Sequence, residues 1–379
     1  MDDQFCSDSF VGPAPAGHLG SCENIGVRCH GPLFRQKRHA HECPVRAGST
    51  KNMTQGALTG FTRMADDSPQ AFTRTMSLSC PAKINLALSV APPDDNGMHP
   101  IASWMIALAF GDTLTLDRSS TSKDSLNISY AADAPLPGVV DWPLEKDLAY
   151  RSHKLLEANA GKPLPTQSVL RKRIPTGAGL GGGSSDAAAM LVGLNVLFGL
   201  NLSQQKLCEL SQSLGSDVAY LTAAMLGQTS AIVTGLGEII SASPLHEKLQ
   251  PSLHVVLIFP GVACPTGPVY KAFDTHCIST SDEASSPPAV SSVEGLFEIQ
   301  SPANLNEQLF NNLAEPACIV QPILREIQAQ ASKKAGRRVH VTGSGATLFT
   351  LADDAQHAKQ LATDLTGLLN LPCLATHTI

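Results

Sequence analysis

The sequence predicts an α/β (α+β) protein built as two domains. The chain has 379 residues, of which 43% are hydrophobic and 16% charged, enough to bury two cores. Strand-type alternation and helix-type periodicity interleave along it. A run of glycines joins one strand to one helix, and a fresh strand at His254 opens a second module after the first has closed.

In order, Pro81 to Val90 alternates apolar and polar residues like a half-buried strand. Pro92-Pro93-Asp94-Asp95-Asn96-Gly97 is turn chemistry ending in a hairpin-type Asn-Gly pair. Ser103 to Ala109 and Asp112 to Asp117 read as two further strands, with Gly111-Asp112 turning between them. Asp147 to Asn159 has helical period, and Gln167 to Ile174 is the strand that delivers the glycine loop. Helices follow at 185–198 and 203–214, the second capped by Ser203. The helical pattern then breaks at Gly215, and Gln228 to Thr234 with Glu238 to Ile240 forms a hairpin around Gly235-Leu236-Gly237. His254 to Pro260 is a buried strand, and 276–295, rich in Ser and Pro, reads as a flexible loop. Helices at 305–315 and 320–334 precede a strand from Arg338 to Thr342 and a turn at Gly343-Ser344-Gly345. A strand from Thr347 to Leu351 and a helix over 354–368 close the chain.

Composition excludes several functions. A net charge of −6, with no basic patch carrying interleaved aromatics, argues against a nucleic-acid surface. No apolar run reaches the length of a membrane span. Ten irregularly spaced cysteines read as reduced thiols in a cytoplasmic setting. Residues 1–75 stand apart. Their cysteines and histidines lack the C-x₂-C pair of a zinc knuckle, and Asp2, Asp3, Glu23 and Glu42 are unlike a targeting peptide. They are expected to form a disordered extension, with Met76 just ahead of the first strand.

The most informative stretch is Pro175 to Asp186. Five glycines in the seven positions from Gly177 to Gly183 suit neither helix nor strand interior. Leading into the helix former Ala187-Ala188-Ala189, they aim backbone N–H groups and a helix dipole at an anion, and phosphate is the natural guest. No Gly-Lys-Ser/Thr ends the loop, which excludes a Walker A motif. No second strand with an acidic end follows, which argues against a dinucleotide fold despite the match of Gly177, Gly179 and Gly182 to G-x-G-x-x-G. Lys83 and Asn85 share one face of their strand. Taken singly, Lys83 is a solvated edge charge or a catalytic cation, Asp217 a turn former or a base, and His99 a turn residue. Gly343 to Ala346 is a hairpin turn or a second surface against phosphate.

Together these segments resemble the GHMP kinase superfamily. The segments are Pro81-Ala82-Lys83-Ile84-Asn85, Pro175 to Ala188, Gly215-Ser216-Asp217-Val218 and Gly343-Ser344-Gly345-Ala346-Thr347, in that order at family-like separations. Asn312 to Pro316 echoes a further family segment, and the resemblance runs from about Ser77 to the C-terminus. The lysine–asparagine pair and the Leu180 to Ser185 loop narrow it to the branch that phosphorylates a cytidyl diphosphate sugar alcohol.

The resemblance implies an N-terminal ribosomal S5-like, ATP-binding domain over 76–248 and a ferredoxin-like domain over 249–379. It implies ATP with Mg²⁺, a small-molecule acceptor, no nucleic-acid or membrane partner, and a monomer or homodimer. Asp217 would take the proton of the acceptor hydroxyl and Lys83 would pair with it. The cradle would be Pro175, Thr176, Gly177, Ala178, Gly179, Leu180, Gly181, Gly182, Gly183, Ser184 and Ser185. Asp147 and Leu148 would line the adenine site, and Asn85, His99 and Thr266 the acceptor site, His99 at the cytosine edge. Met98 stands where the family carries an aromatic, and Tyr270 is expected to supply that stacking face. Asp147 replaces a commoner asparagine, Ala219 a proline, and Asp186 a frequent asparagine. Two rivals remain: a related kinase acting on another small alcohol, such as mevalonate or homoserine, and a catalytically silent nucleotide sensor.

Overall fold

The computed structural model describes residues 75–119, 123–243, 252–278, 289–299 and 301–379. The extension expected over 1–75 lies outside the described residues but for Thr75, as does half of the loop expected over 276–295, namely 279–288.

The fold is mixed α/β, organised on two sheets. The first is ordered β3-β4-β2-β1-β8, and β5 and β6 extend it from β2. Strand β1 (Met76–Val90) runs antiparallel to β2 (Ile101–Arg118) along nearly its whole length. Because β2 is 18 residues long, two strands share its other edge. Its first third pairs with β5 (Ser230–Gly235) and its last third with β4 (Thr166–Lys172). β3 (Ser125–Tyr130) lies parallel to β4, and β6 (Ile239–Ala242) closes the hairpin with β5.

The turn expected at Gly111-Asp112 does not exist, because β2 passes straight through it. Gly111 faces Pro81, and a Cβ on it would sit 2.2 Å from the Cys80 carbonyl oxygen. The glycine is there so that two strands can touch, a requirement that looks like turn chemistry in a bare sequence. Strand β1 departs from expectation in another way. From Cys80 onward both of its faces are buried, Lys83 and Asn85 included. The face of its alternation that carries Lys83 and Asn85 lines a cavity rather than the outer surface.

Helix α1 (Leu148–Ala160) packs on α2 (Gly182–Leu197), which lies on β1 and β2. Ser185 to Leu194 are all buried, so α2 is a core helix rather than an amphipathic one. Ser203 caps α3 (Gln204–Gln212) by accepting from the Lys206 amide, as expected. Sequence reading missed α4 (Ser216–Met225), which starts immediately after Gly215 and packs on α2 and α3. Asp217 therefore stands in the first turn of a helix, not in a loop.

The second sheet is antiparallel, ordered β11-β7-β10-β9, from β7 (His254–Ile258), β9 (His340–Val341), β10 (Leu348–Ala352) and β11 (Cys373–His377). Two of its helices are α9 (Ile323–Ala335) and α10 (Ala355–Leu369), and α10 packs on β7 and β11. β11 had no place in the sequence reading. The single helix expected over 305–315 is instead α7 (Pro302–Gln308), a two-residue strand β8 (Phe310–Asn311) and α8 (Ala314–Val320). β8 joins β1 in parallel, and the Asn312 side chain accepts from the Val90 amide. Part of the expected 276–295 loop is the short helix α6 (Val290–Glu294). Cys80, Cys208, Cys264, Cys318 and Cys373 are free thiols. Among the described residues no helix is long and apolar enough to cross a membrane.

Candidate active site

One cavity of about 880 Å³ gathers nearly every residue singled out from sequence. Lys83, Asn85, His99, Asp147, Leu148, Asp217, Thr266 and Tyr270 line it, with the loop from Pro175 through Ser184. Ser185 does not. It is buried behind the loop with no hydrogen-bond partner for its hydroxyl, because consecutive helical residues point about 100° apart.

The loop is held from both sides by backbone. The Lys83 amide of β1 donates to Leu180 O at 2.9 Å, and the Thr347 amide beyond the 343–345 turn donates to Ala178 O at 3.1 Å. The turn is tied in turn to β1 and β8. The Asn85 amide donates to Thr342 Oγ1 at 3.1 Å, and Asn311 Nδ2 donates to Val341 O and Gly343 O, both at 2.8 Å. Gly343 to Gly345 is therefore more than a hairpin turn: it forms a wall of the cavity. Helix α2 starts at Gly182 with no capping side chain, since its N-cap is Gly181 at φ 71°. Its first-turn amides have no intrahelical carbonyl to bind, and Gly182, Gly183 and Ser184 line the cavity. That geometry suits an anion at the positive end of a helix dipole.

Gly179 is the tightest point. At φ +75° it occupies the left-handed region, and a Cβ would lie 2.5 Å from Thr342 O and 2.7 Å from Gly345 O. Gly179→Ala is expected to destabilise the protein by about 2–4 kcal/mol and to raise KM for ATP about tenfold by pushing the loop off the turn. Gly199→Ala is the control. It shares the left-handed φ of +61° with nothing within 4 Å of its Cβ, and should cost only the backbone penalty. Thermal unfolding and ATP titration of both variants check this, and equal losses would show that the loop–turn contact is unimportant.

Under the loop lies a buried ion cluster. Lys172 Nζ is 2.6 Å from Asp112 Oδ2 and also bonds Asp186 Oδ2, while Asp112 Oδ1 accepts from the Ile174 amide at 2.7 Å. Burial opposes the charge on Lys172, but the two carboxylates outweigh it and raise its pKa. Burial drives Asp186 up to about 8, against the pull of Lys172 and with a further push from Asp112. The cluster joins β2, β4 and α2 at the base of the cradle, where losing one partner of a buried pair costs about 3–5 kcal/mol.

Lys83 and Asp217 approach from different elements. Lys83 Nζ donates to Asn85 Oδ1 at 2.8 Å and lies 3.3 Å from Asp217 Oδ2. Asn85 Nδ2 donates to Ser103 Oγ at 2.8 Å, which fixes the amide with its oxygen toward the lysine. The Asp217 side chain keeps 29% of its exposure, so it reaches open cavity while Lys83 stays sealed at 5%. Its position in the first turn of α4 sets its negative charge at the favourable end of that helix.

At one end of the cavity Asp147 caps α1, accepting at Oδ1 from the Ala149 and Tyr150 amides. Its Oδ2 accepts from Trp142 Nε1 at 2.9 Å, which brings a half-buried indole into the cavity wall. Sequence reading missed Trp142; its signal was a lone tryptophan before a proline at a helix start. At the other end, the His99 ring lies 4.9 Å from that of Tyr270 and 5.9 Å from that of Phe273. Burial, with a smaller push from Asp217, raises Tyr270 to about 12, so its phenol stays neutral. Met98 is exposed and offers no aromatic face there. Thr266 Oγ1 stands 3.3 Å from Ser344 Oγ, linking α5 (Thr266–Phe273) to the glycine turn.

Asp124, His153 and Glu157 also converge within metal-binding distance, away from the cavity lining. Lys154 Nζ bridges Asp124 at 2.7 Å and Glu157 at 2.8 Å, and His153 Nε2 donates to Leu164 O at 2.9 Å. A cation already serves those carboxylates, and the histidine's nitrogen is engaged.

Two family domains and several named enzymes match this chain. The GHMP kinases N terminal domain matches residues 147–235, and the GHMP kinases C terminal domain matches 293–369. The chain is 31% identical over 296 residues to the 4-diphosphocytidyl-2-C-methyl-D-erythritol kinase of Paenarthrobacter aurescens, covering 77% of this chain and 90% of that one. To the enzyme of the same name from Caulobacter vibrioides it is 34% identical over 292 residues, covering 76% and 94%. A crystal structure of 4-(cytidine 5'-diphospho)-2C-methyl-D-erythritol kinase aligns with a TM-score of 0.62 and 30% identity over 80% of this chain and 99% of that one. With a glycine-loop cradle, a lysine–aspartate pair and relatives of this similarity across nearly their whole length, the chain belongs to the 4-diphosphocytidyl-2-C-methyl-D-erythritol kinase family of the GHMP kinases.

Proposed function

We propose that this protein transfers the γ-phosphoryl group of ATP to the 2-hydroxyl of 4-diphosphocytidyl-2-C-methyl-D-erythritol, a step of the non-mevalonate route to isoprenoid precursors. The observation that carries the reading is the 3.3 Å approach of Lys83 to Asp217 inside the cavity walled by the glycine loop. Phosphoryl transfer needs an anion cradle, neutralisation of charge on the moving group, and a residue to orient or deprotonate the attacking hydroxyl. The amides from Gly177 to Ser184 form the cradle, closed over by Gly343 to Gly345. Asp217 accepts the hydroxyl proton. Lys83 pairs with Asp217 and places positive charge where negative charge moves between oxygens.

Asp147 and Leu148, with Trp142, receive the adenine. Asn85, His99, Thr266 and Tyr270 receive the acceptor, with Tyr270 stacking on the base in place of the missing aromatic at 98. Mg²⁺ accompanies ATP, and the donor set fits a hard ion that keeps most of its water: Ser184 offers a hydroxyl oxygen beside the cradle amides. When bound, the ion neutralises the β- and γ-phosphate oxygens. We place the nucleotide-binding domain over 76–248 and the second over 249–379, in a cytoplasmic enzyme that is a monomer or homodimer.

The test is ADP release by the full chain with ATP and, in turn, the cytidyl acceptor, mevalonate and homoserine. Turnover on the cytidyl acceptor alone supports the reading. Turnover on another alcohol instead moves the chain to a different branch of the kinases. ATP binding without ADP release on any acceptor makes it a silent sensor, for which a paired base and lysine have no use.

A further inference from the structure

We propose that Asp112 is a positioning residue for the nucleotide: it holds the neck of the glycine loop shut and so sets where the cradle amides point. The proposal rests on the reading of that loop as a phosphate site, whichever alcohol is phosphorylated. Asp112 is 1% exposed and does not line the cavity, so it acts through the loop and touches no ligand.

The ground is the place where the loop leaves the sheet. The ladder between β2 and β4 ends at Thr113 and Arg171, and the chain then turns away toward Pro175. Amides freed at such a point need an acceptor. Those of Arg173 and Ile174 both donate to Asp112 Oδ1, the second at 2.7 Å. Oδ2 takes the Lys172 ammonium at 2.6 Å, and the same ammonium reaches Asp186 of α2. One carboxylate thus ties the strand by which the chain enters the loop to the helix by which it leaves. The two ends also touch. A Cβ on Gly182 would lie 2.9 Å from Ile174 Cγ2 and 3.7 Å from Asp112 Oδ2.

Beyond the neck the loop has separate anchors at Ala178 O and Leu180 O, so the neck is the part that Asp112 alone secures with a side-chain oxygen. Joining a sheet to a helix does not call for ions, since apolar packing serves as well. What an apolar side chain cannot do is accept from two amides at the bend. A displacement of about 1 Å at a reacting group can cost about 10²-fold, so the fixed neck bears on where the triphosphate lies.

The experiment measures binding of ATP and of adenosine to the full chain, with thermal midpoints alongside, for wild type, Asp112→Ala and Asp112→Asn. Deleting the carboxylate leaves Lys172 and Asp186 as a matched pair, so the Ala variant buries no unpaired charge. Asn keeps an oxygen for the two amides but turns an –NH₂ toward Lys172. Both variants should therefore lose stability, while only Ala loses the neck. Asp112→Ala is expected to weaken ATP about tenfold relative to adenosine, and Asp112→Asn to stay within about threefold of wild type. ATP and adenosine weakening together, or ATP affinity tracking the midpoint in both variants, would reduce Asp112 to a structural role and overturn the proposal. If Asp112→Ala does not fold, Gly182→Ala opens the neck from the helix side, because its methyl must displace Ile174. It should also weaken ATP about tenfold relative to adenosine, and an unchanged ratio overturns the proposal equally. A wild type that binds ATP no better than adenosine sinks the reading of the loop as a phosphate site, and this proposal with it.

Discussion

Asp217→Ala is expected to lower kcat about 10³-fold while moving KM for ATP less than about threefold. The carboxylate is partly exposed to the cavity and borders Lys83, whereas the cradle is built from backbone amides and does not need it. The loss should therefore fall on the chemical step and not on nucleotide binding. Asp217→Asn sharpens the test, because it keeps shape and hydrogen-bonding length but cannot take a proton. If proton acceptance matters, it should be nearly as damaged as Ala. Single-turnover measurements of phosphoryl transfer separate chemistry from product release. An Asn variant within about fivefold of wild type in that experiment would mean that the carboxylate only orients the hydroxyl. That outcome is open to chemistry with a loose transition state.

The parts of this site that were legible in the sequence are those set by local backbone need. A dense glycine run before an alanine-rich helix can do little besides wrap an anion, and Ser203 and Asp147 announce helix starts through their own side chains. What was not legible depends on partners distant in the chain. Gly111 looked like a turn because nothing in its neighbourhood reveals that Cys80 O will press against it. Lys83 and Asn85 looked half-solvated because period-2 alternation cannot distinguish an outer surface from the wall of a cavity. Asp217 looked like a loop residue because Gly215 ends one helical pattern so near the start of the next. Strand β8 is two residues long and exists only because β1 is there to pair with it. Trp142 became a candidate only once the fold had turned its side chain to the cavity.

The two halves of the cavity are also mechanically linked. The loop is bonded to β1 by Leu180 and to the 343–345 turn by Ala178, while the turn is bonded to β1 through Asn85 and to β8 through Asn311. The strand that presents Lys83 thus also holds the glycine loop and the turn beside it. Ammonium and loop are thereby anchored to one strand, a fixed alignment of the kind phosphoryl transfer depends on.

Lys83→Ala is expected to cost about 10²-fold or more in kcat, with a smaller effect on KM for ATP, because its ammonium acts on charge that develops during transfer. The side chain is sealed, with Nζ held between Asn85 Oδ1 at 2.8 Å and Asp217 Oδ2 at 3.3 Å. Lys83→Arg should not rescue it. The packing is close on two sides: a Cβ placed at Gly181 would come within 3.0 Å of Lys83 Cγ, and one at Gly343 within 3.4 Å of Nζ. A planar guanidinium has no room there and cannot reproduce a point charge between two oxygens. The decisive measurement is the double variant. If lysine and aspartate work as one unit, Lys83→Ala combined with Asp217→Ala should be no slower than Asp217→Ala alone. If instead the two losses multiply, Lys83 acts on the phosphoryl group independently of the base. A single Lys83→Ala enzyme keeping more than about a third of wild-type kcat would remove the lysine from the mechanism altogether.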